Sequence, residues 1–232
     1  LWRALNGRVQ AVVMAGHSLG EYSALVCAQA ISYETALKLV RRRGELMQIA
    51  VPDGVGAMAA ILNMDDDAVE KICEEQAQGQ VVQPANYNSP GQLVIAGNKE
   101  AVERAVVACK EAGARRAMLL PVSGPFHSAL MEPAAKEFAA YLDGFEVNSP
   151  IVPVLQNASN QFETSADQIR ANLVTQIASP VRWTQTVQQL ADNGVQTLVE
   201  VGPGKVLTGL NKRIAKGLNN ITVNSADAIS AL

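Results

Sequence analysis

Histidine is scarce in this chain, with only His17 and His127 among 232 residues, so a reaction needing an imidazole base has two candidates. Cysteine is scarce too: Cys27, Cys73 and Cys109 stand far apart, form no CxxC pair and have no metal-ligand spacing. An odd, scattered set of this kind excludes a disulfide framework and reads as free thiols in a reducing compartment. There is no excess charge of one sign, since the net is −3 with Lys and Arg dispersed, which argues against a nucleic-acid partner. No run approaches the ~18 apolar residues of a membrane span, and there are neither repeats nor low-complexity tracts.

What remains is an ordinary globular chain, 48% hydrophobic and long enough to build a sizeable core. Val9 to Ala15 is an apolar run ending at Gly16 and suits a strand buried on both faces of a parallel sheet. Glu21 to Ala30 reads as helix, and a second helix runs from an N-cap at Ser32 to about Ala50, with Pro52 beyond it. From Gly54 the texture changes. Gly56 to Leu62, Val81 to Tyr87, Gln92 to Ala96 and Arg116 to Val122 read as strands, with helices at Asp65 to Gln78 and Lys99 to Gly113. This β-α-β-β-α-β order is the ferredoxin-like pattern. It defines a small subdomain at 55–121 inserted into a larger α/β subdomain at 1–54 and 122–232. In that larger part, Ser128 to Leu142, Asp167 to Ile177, Trp183 to Gly194 and Val206 to Gly217 read as helices. Ile151 to Leu155 and Thr197 to Val201 read as strands. Strands alternating with helices imply a parallel, helix-flanked main sheet.

Gly16-His-Ser-Leu-Gly20 fits G-x-S-x-G between a strand and a helix, the context a nucleophile elbow requires. The glycines let the backbone turn sharply, Ser18 projects from the turn, and the Leu19 N–H faces an oxyanion at the helix N-terminus. The competing reading is a plain strand-to-helix turn. A serine nucleophile needs a base. His17 is adjacent to Ser18 and leaves the turn in another direction. His127, in the Gly/Pro-bounded stretch Pro121 to Ser128, is the better placed of the two, against the alternative of a structural loop histidine.

Arg43 stands out on its helix. At about 100° per residue, Ala36, Leu37, Leu39, Val40, Gly44, Leu46, Met47 and Ala50 form one arc, and Arg43 falls in its middle. A guanidinium there is costly unless it meets an anion or several acceptors. No acidic residue shares that face within a turn, so the partner is either a distant carboxylate or a ligand. Gly202-Pro-Gly-Lys205 lacks the G-x-x-x-x-G-K-[ST] spacing of a phosphate loop and reads as a strand-to-helix turn.

Several long stretches, in order, resemble one family. They are GHSLGEYSALV at 16–26, Arg43-Gly44, NYNSPGQLVIAG at 86–97, GPFHSALMEPA at 124–134, Gln176 with Pro180-Val-Arg-Trp183, and EVGPGKVLTGL at 200–210. Together they resemble the malonyl-CoA:acyl carrier protein transacylases over about Val12 to Arg213. The resemblance implies an α/β-hydrolase-like parallel-sheet core with a ferredoxin-like insert, in agreement with the element order. It implies a ping-pong reaction in which Ser18 takes malonyl from coenzyme A and the phosphopantetheine thiol of acyl carrier protein collects it. His127 would be base and then acid, oriented by a main-chain carbonyl near Gln176 rather than by an acid. Arg43 would pair with the malonyl carboxylate, which two N–H donors hold in a fixed geometry. Phe126 matches the malonyl-selecting form of its motif, and Asn88, Gln176 and His17 would line the pocket. No cofactor or metal is implied, and the expectation is a cytoplasmic monomer serving fatty acid or polyketide synthesis. Lys205, Lys212 and Arg213 are candidates for the carrier docking surface.

One departure is expected to matter. Family members begin with a strand and a Gly-Gln-Gly-Ser-Gln loop whose first glutamine supplies a second oxyanion N–H, and these 232 residues contain nothing like it. The expectation is therefore one portion of a longer protein, with Leu19 its only oxyanion donor. Two other readings stay open at this point. One is a serine hydrolase or thioesterase, although hydrolases of this fold place the histidine late and after an acidic partner. The other is a non-catalytic module that binds coenzyme A or a carrier protein.

Overall fold

The computed structural model of the chain describes residues 1–5, 7–122 and 124–230. Ser123, inside the loop that carries His127, and the last two residues of the 122–232 segment lie outside the described residues.

Strand β1 (Met14–Ala15) leads through residues 16–18 into helix α1 (Leu19–Cys27), and α2 (Tyr33–Ile49) follows. Ser32 Oγ accepts the Thr35 N–H at 3.0 Å and so fixes the start of α2. The inserted unit then runs β2 (Gly56–Leu62), α3 (Asp66–Ala77), β3 (Val82–Ser89), β4 (Gln92–Asn98), α4 (Lys99–Glu111) and β5 (Arg116–Leu119). Its four strands pair antiparallel in the order β3-β4-β2-β5, the ferredoxin-like arrangement. Alternation decides which way its side chains face. Ala59 and Ile61 of β2 pack with Val69, Ile72 and Val102 of the two helices. Met58, Val94 and Ala96 face the other way and meet Phe126. Both faces of this sheet are therefore covered.

The rest of the chain supplies α5 (Glu132–Leu142), β6 (Val154–Leu155), β7 (Phe162–Glu163), α6 (Ala166–Ala178), α7 (Trp183–Asp192), β8 (Thr197–Val201), α8 (Val206–Ile214), β9 (Asn219–Val223) and α9 (Ala226–Ser230). Its largest core lies among α1, α2, α5 and α6. There Tyr22 and Phe138 meet edge to face with centroids 6.4 Å apart, and Leu25, Leu39 and Leu173 are fully buried.

The main sheet differs from the expected run of parallel strands. β1 pairs parallel with β6, β6 pairs antiparallel with β7, and β8 and β9 form a separate parallel pair. β1 is two residues long rather than seven, because only Val154 and Leu155 lie opposite it. At the edge of its sheet it is half-buried, and Val12 is exposed. The expected strand at Ile151 to Leu155 is shortened for the same reason, with Ile151 exposed.

One junction between the two units bears on function. The outer edge of β3 accepts the segment after α6: Tyr87 N–H donates to Val181 O and Val181 N–H to Ala85 O, both at 2.9 Å. The inserted sheet thereby fixes the path of residues 179–181.

Candidate active site

The turn after β1 is sharp, as the sequence pattern implied, and strained at its serine. Ser18 has φ 50° and ψ −104°, a region that costs a non-glycine residue on the order of 1–3 kcal/mol. The turn brings α1 back so closely that a Cβ on Gly16 would lie 2.0 Å from the Gly20 carbonyl. Only glycine fits at 16. Gly20 is different: a Cβ there would meet nothing within 4 Å, so the expectation that both glycines serve the turn holds for the first alone. Leu19 is the first residue of α1, and its N–H has no intrahelical acceptor.

Ser18 Oγ lies 2.8 Å from His127 Nε2. On the far side of the ring, Nδ1 stands 2.9 Å from the Gln176 carbonyl oxygen and 3.2 Å from that of Ser179. Carbonyls only accept, so Nδ1 carries the proton, and the bare Nε2 accepts from the serine hydroxyl. These two carbonyls close the last turn of α6, the segment that β3 clamps through Val181. His127 itself has φ 61° and is buried. Burial first, and the Arg43 charge second, hold its pKa down to about 3, so the imidazole is neutral and ready to accept a proton.

Arg43 is 6% exposed. Its Nη2 donates to Ser18 Oγ and to Gln176 Oε1, each at 2.9 Å, while Nε is buried without a partner. Among the described residues no carboxylate forms an ion pair with it. Its guanidinium lies over the Tyr22 ring, 5.7 Å from the centroid, and the carboxyl that acts on its charge is Glu21, which is fully buried and has its pKa pushed up to about 7, chiefly by desolvation. Of the two partners that the apolar arc left open, an internal ion pair is thus not the one found. A buried guanidinium aimed at a serine hydroxyl, with donors to spare, is arranged to receive an anion.

Gln176 touches every part of this constellation. Its carbonyl orients His127, its Oε1 holds Arg43, and its Nε2 donates to the Ser18 carbonyl at 3.1 Å. His17 and Asn88 stand slightly apart and pair with each other, Nε2 to Oδ1 at 2.9 Å, and burial lowers the His17 pKa. The His17 ring lies 5.8 Å from that of Trp183. Phe126 is half-buried between the main core and the second face of the inserted sheet. The turn at 202–205 holds no phosphate-type cradle, since both Glu200 carboxylate oxygens already accept the Leu207 and Thr208 N–H groups at the start of α8.

Two residues escaped the sequence reading. Asn157, after β6, accepts the Ser18 N–H and donates to the Gly16 carbonyl. Glu21 accepts the Asn157 backbone N–H. Glu21 had a signal, because it lies among Tyr22, Ala24 and Leu25 on the buried side of α1, and the arc argument used for Arg43 applies to it equally. Asn157 had none, since its partners are about 140 residues away.

Fold and site together define an α/β-hydrolase-like chain with a ferredoxin-like insert and a serine on a strand–turn–helix elbow, paired with a histidine that main-chain carbonyls, rather than an acid, orient. Residues 1–227 match the acyl transferase domain family, and the chain belongs to that family. It is 55% identical over 231 residues to the malonyl CoA-acyl carrier protein transacylase of Escherichia coli K12, covering 100% of this chain and 74% of that protein. Identity to the transacylase of the same name from Haemophilus influenzae is 52% over 232 residues, again 100% of this chain and 74% of that protein. Among solved structures, the acyl carrier protein S-malonyltransferase of Vibrio cholerae superposes with a TM-score of 0.97 at 55% identity, covering 99% of this chain and 76% of that one. A malonyl-transacylase solved in complex with a type II polyketide acyl-carrier protein gives 0.96 at 52% identity, covering 99% and 75%.

Proposed function

We propose that this chain transfers malonyl from malonyl-CoA to the phosphopantetheine thiol of acyl carrier protein through a malonyl-serine intermediate. The observation that carries this reading is Arg43, a buried guanidinium that forms no ion pair with a carboxylate among the described residues, 2.9 Å from Ser18 Oγ. A malonyl group presents a carboxylate two carbons from its thioester carbonyl. Held by Arg43, it sets that carbonyl beside the nucleophile.

Neutral His127 takes the Ser18 proton on Nε2 as Oγ attacks the thioester carbon. The Gln176 and Ser179 carbonyls stabilise the imidazolium through Nδ1–H. The oxyanion faces the Leu19 N–H at the head of α1. Collapse expels the coenzyme A thiolate, which takes the proton back from His127. The carrier thiol then repeats the cycle in reverse order. Arg43 Nη2 donates to Oγ in the resting site and so favours its anionic form. His17 and Asn88 shape the pocket, and Phe126 limits substituents beside the acyl chain.

The exposed Lys205, Lys212 and Arg213 suit an acidic carrier. α8, which bears the last two, joins the pocket through Trp183 Nε1, which donates to Asn211 Oδ1 at 3.0 Å. The same reading takes the enzyme to act as a cytoplasmic monomer without cofactor. Among the described residues no helix is long and apolar enough to cross a membrane. The test is Arg43→Ala assayed with malonyl-CoA and acetyl-CoA. Malonyl transfer should fall and the preference shift toward acetyl, whereas an unchanged preference would make the arginine structural.

A further inference from the structure

Behind the nucleophile lies a closed bracket. Asn157 has no exposed surface, and its amide is used at both ends. Nδ2 donates to the Gly16 carbonyl at 2.7 Å and Oδ1 accepts the Ser18 N–H at 2.6 Å. The two groups flank His17, so one planar amide spans the whole turn. From the other side, Glu21 Oε2 accepts the Asn157 backbone N–H at 2.8 Å. Glu21 is itself without exposed surface, and its Oε1 has no partner.

We propose that Asn157, braced by Glu21, is a positioning residue for acyl transfer: it locks the Gly16 to Ser18 turn in the conformation that aims Oγ at His127 Nε2. The proposal rests on Ser18 being the nucleophile. Serine at φ 50° and ψ −104° persists only where its surroundings fix it. The local backbone bonds, Gly20 N–H to the His17 carbonyl and Glu21 N–H to that of Ser18, hold only the helix side of the turn, and the serine hydroxyl, occupied by His127 and Arg43, does not cap its own helix. The Asn157 amide satisfies a buried acceptor and a half-buried donor at the two ends of this strained turn. It also settles which N–H is open to an oxyanion. The Ser18 N–H is committed to Asn157, which leaves that of Leu19.

The side-chain requirement is narrow. The bracket needs one donor and one acceptor at amide spacing. Aspartate would set an acceptor against the Gly16 carbonyl, and alanine would leave both groups unpaired. At position 21 the requirement is an acceptor, which glutamine also provides.

The test is single-turnover acylation by malonyl-CoA, followed by intact mass, in the wild type and in Ser18→Ala, Asn157→Asp, Asn157→Ala, Glu21→Ala and Glu21→Gln. Asn157→Asp and Asn157→Ala should slow the limiting acylation rate by roughly 10- to 100-fold, the effect of misplacing a reacting group by about 1 Å. The malonyl-CoA concentration for half-maximal rate should stay put, because Arg43 is untouched. Glu21→Ala should slow the same step, and Glu21→Gln should recover most of it. Folded Asn157 variants that acylate at the wild-type rate, or a Glu21→Ala that glutamine does not improve upon, would overturn the proposal. Where Asn157→Ala does not fold, Asn157→Ser carries the same criterion. A wild type that takes no label on Ser18 would overturn instead the nucleophile assignment beneath it.

Discussion

Gln176 Oε1 accepts a hydrogen bond from Arg43 Nη2 at 2.9 Å, and both residues are buried. It is a neutral acceptor that holds the guanidinium in place without setting a carboxylate against it. Gln176→Glu would place a carboxylate where the substrate's own is to bind, and the resulting internal ion pair would compete with malonyl. The expected outcome is a fall in kcat/KM for malonyl-CoA of about 10- to 100-fold, the worth of a hydrogen bond to a charged group. Acetyl transfer should fall less, because acetyl has no carboxylate to exclude. Steady-state kinetics with the two thioesters checks this. The main-chain carbonyl that orients His127 is kept in the variant, so a uniform loss on both substrates would contradict it.

The two glycines of the elbow should respond in opposite ways. At Gly16 a Cβ collides with the backbone of residues 20 and 21, so Gly16→Ala is expected to destabilise the turn and abolish labelling of Ser18. Gly20 lies in α1 with open space around it. There alanine should raise stability by roughly 0.5–1 kcal/mol, the usual difference between these residues in a helix. Thermal melts of the two variants read this directly.

Glu21 makes stability depend on pH in a definable way. Its carboxyl moves from 4.5 to about 7 on burial. Between those values the folded chain keeps a proton that the unfolded chain has lost. The contribution is therefore fully present below about pH 4.5 and is lost as pH rises through about 7. Glu21→Gln removes this dependence. Relative to that variant the wild type should lose on the order of 3 kcal/mol between pH 4.5 and 8, at 1.36 kcal/mol per unit. Denaturant unfolding of both proteins across that range measures it, and parallel curves would place the Glu21 pKa near its ordinary value.

His127 predicts a flat acid limb. With its pKa held near 3 by burial, the imidazole is already neutral where an ordinary histidine titrates. The acylation rate should thus hold steady from pH 8 down to 5.5. Measured in the Glu21→Gln background, which keeps the Glu21 ionisation out of the profile, a half-loss of rate near pH 6.5 would contradict it.

How legible all this was in the sequence follows from the range of each interaction. The elements of the inserted unit were readable in type and order, with β2 at Gly56–Leu62 as expected and β5 ending at Leu119 rather than Val122, because its strands are bounded by local turn signals. The serine, the histidine and the buried arginine were readable because each breaks a local pattern. β7, two residues long, gives no periodicity to detect. β9, at Asn219–Val223, opens on two asparagines that read as loop. β1 was overread because apolar character was taken for pairing, while only two residues find a partner. Asn157 was invisible, since an asparagine after a short strand says nothing about a turn about 140 residues earlier.

The most direct test of the account is the intact mass of the wild type and of Ser18→Ala after incubation with malonyl-CoA, followed by addition of carrier protein bearing its phosphopantetheine thiol. One malonyl adduct is expected on the wild type, located at Ser18 and discharged to the carrier thiol, and none on the variant. Equal labelling of the variant, or an adduct discharged to water and never to the thiol, would contradict it.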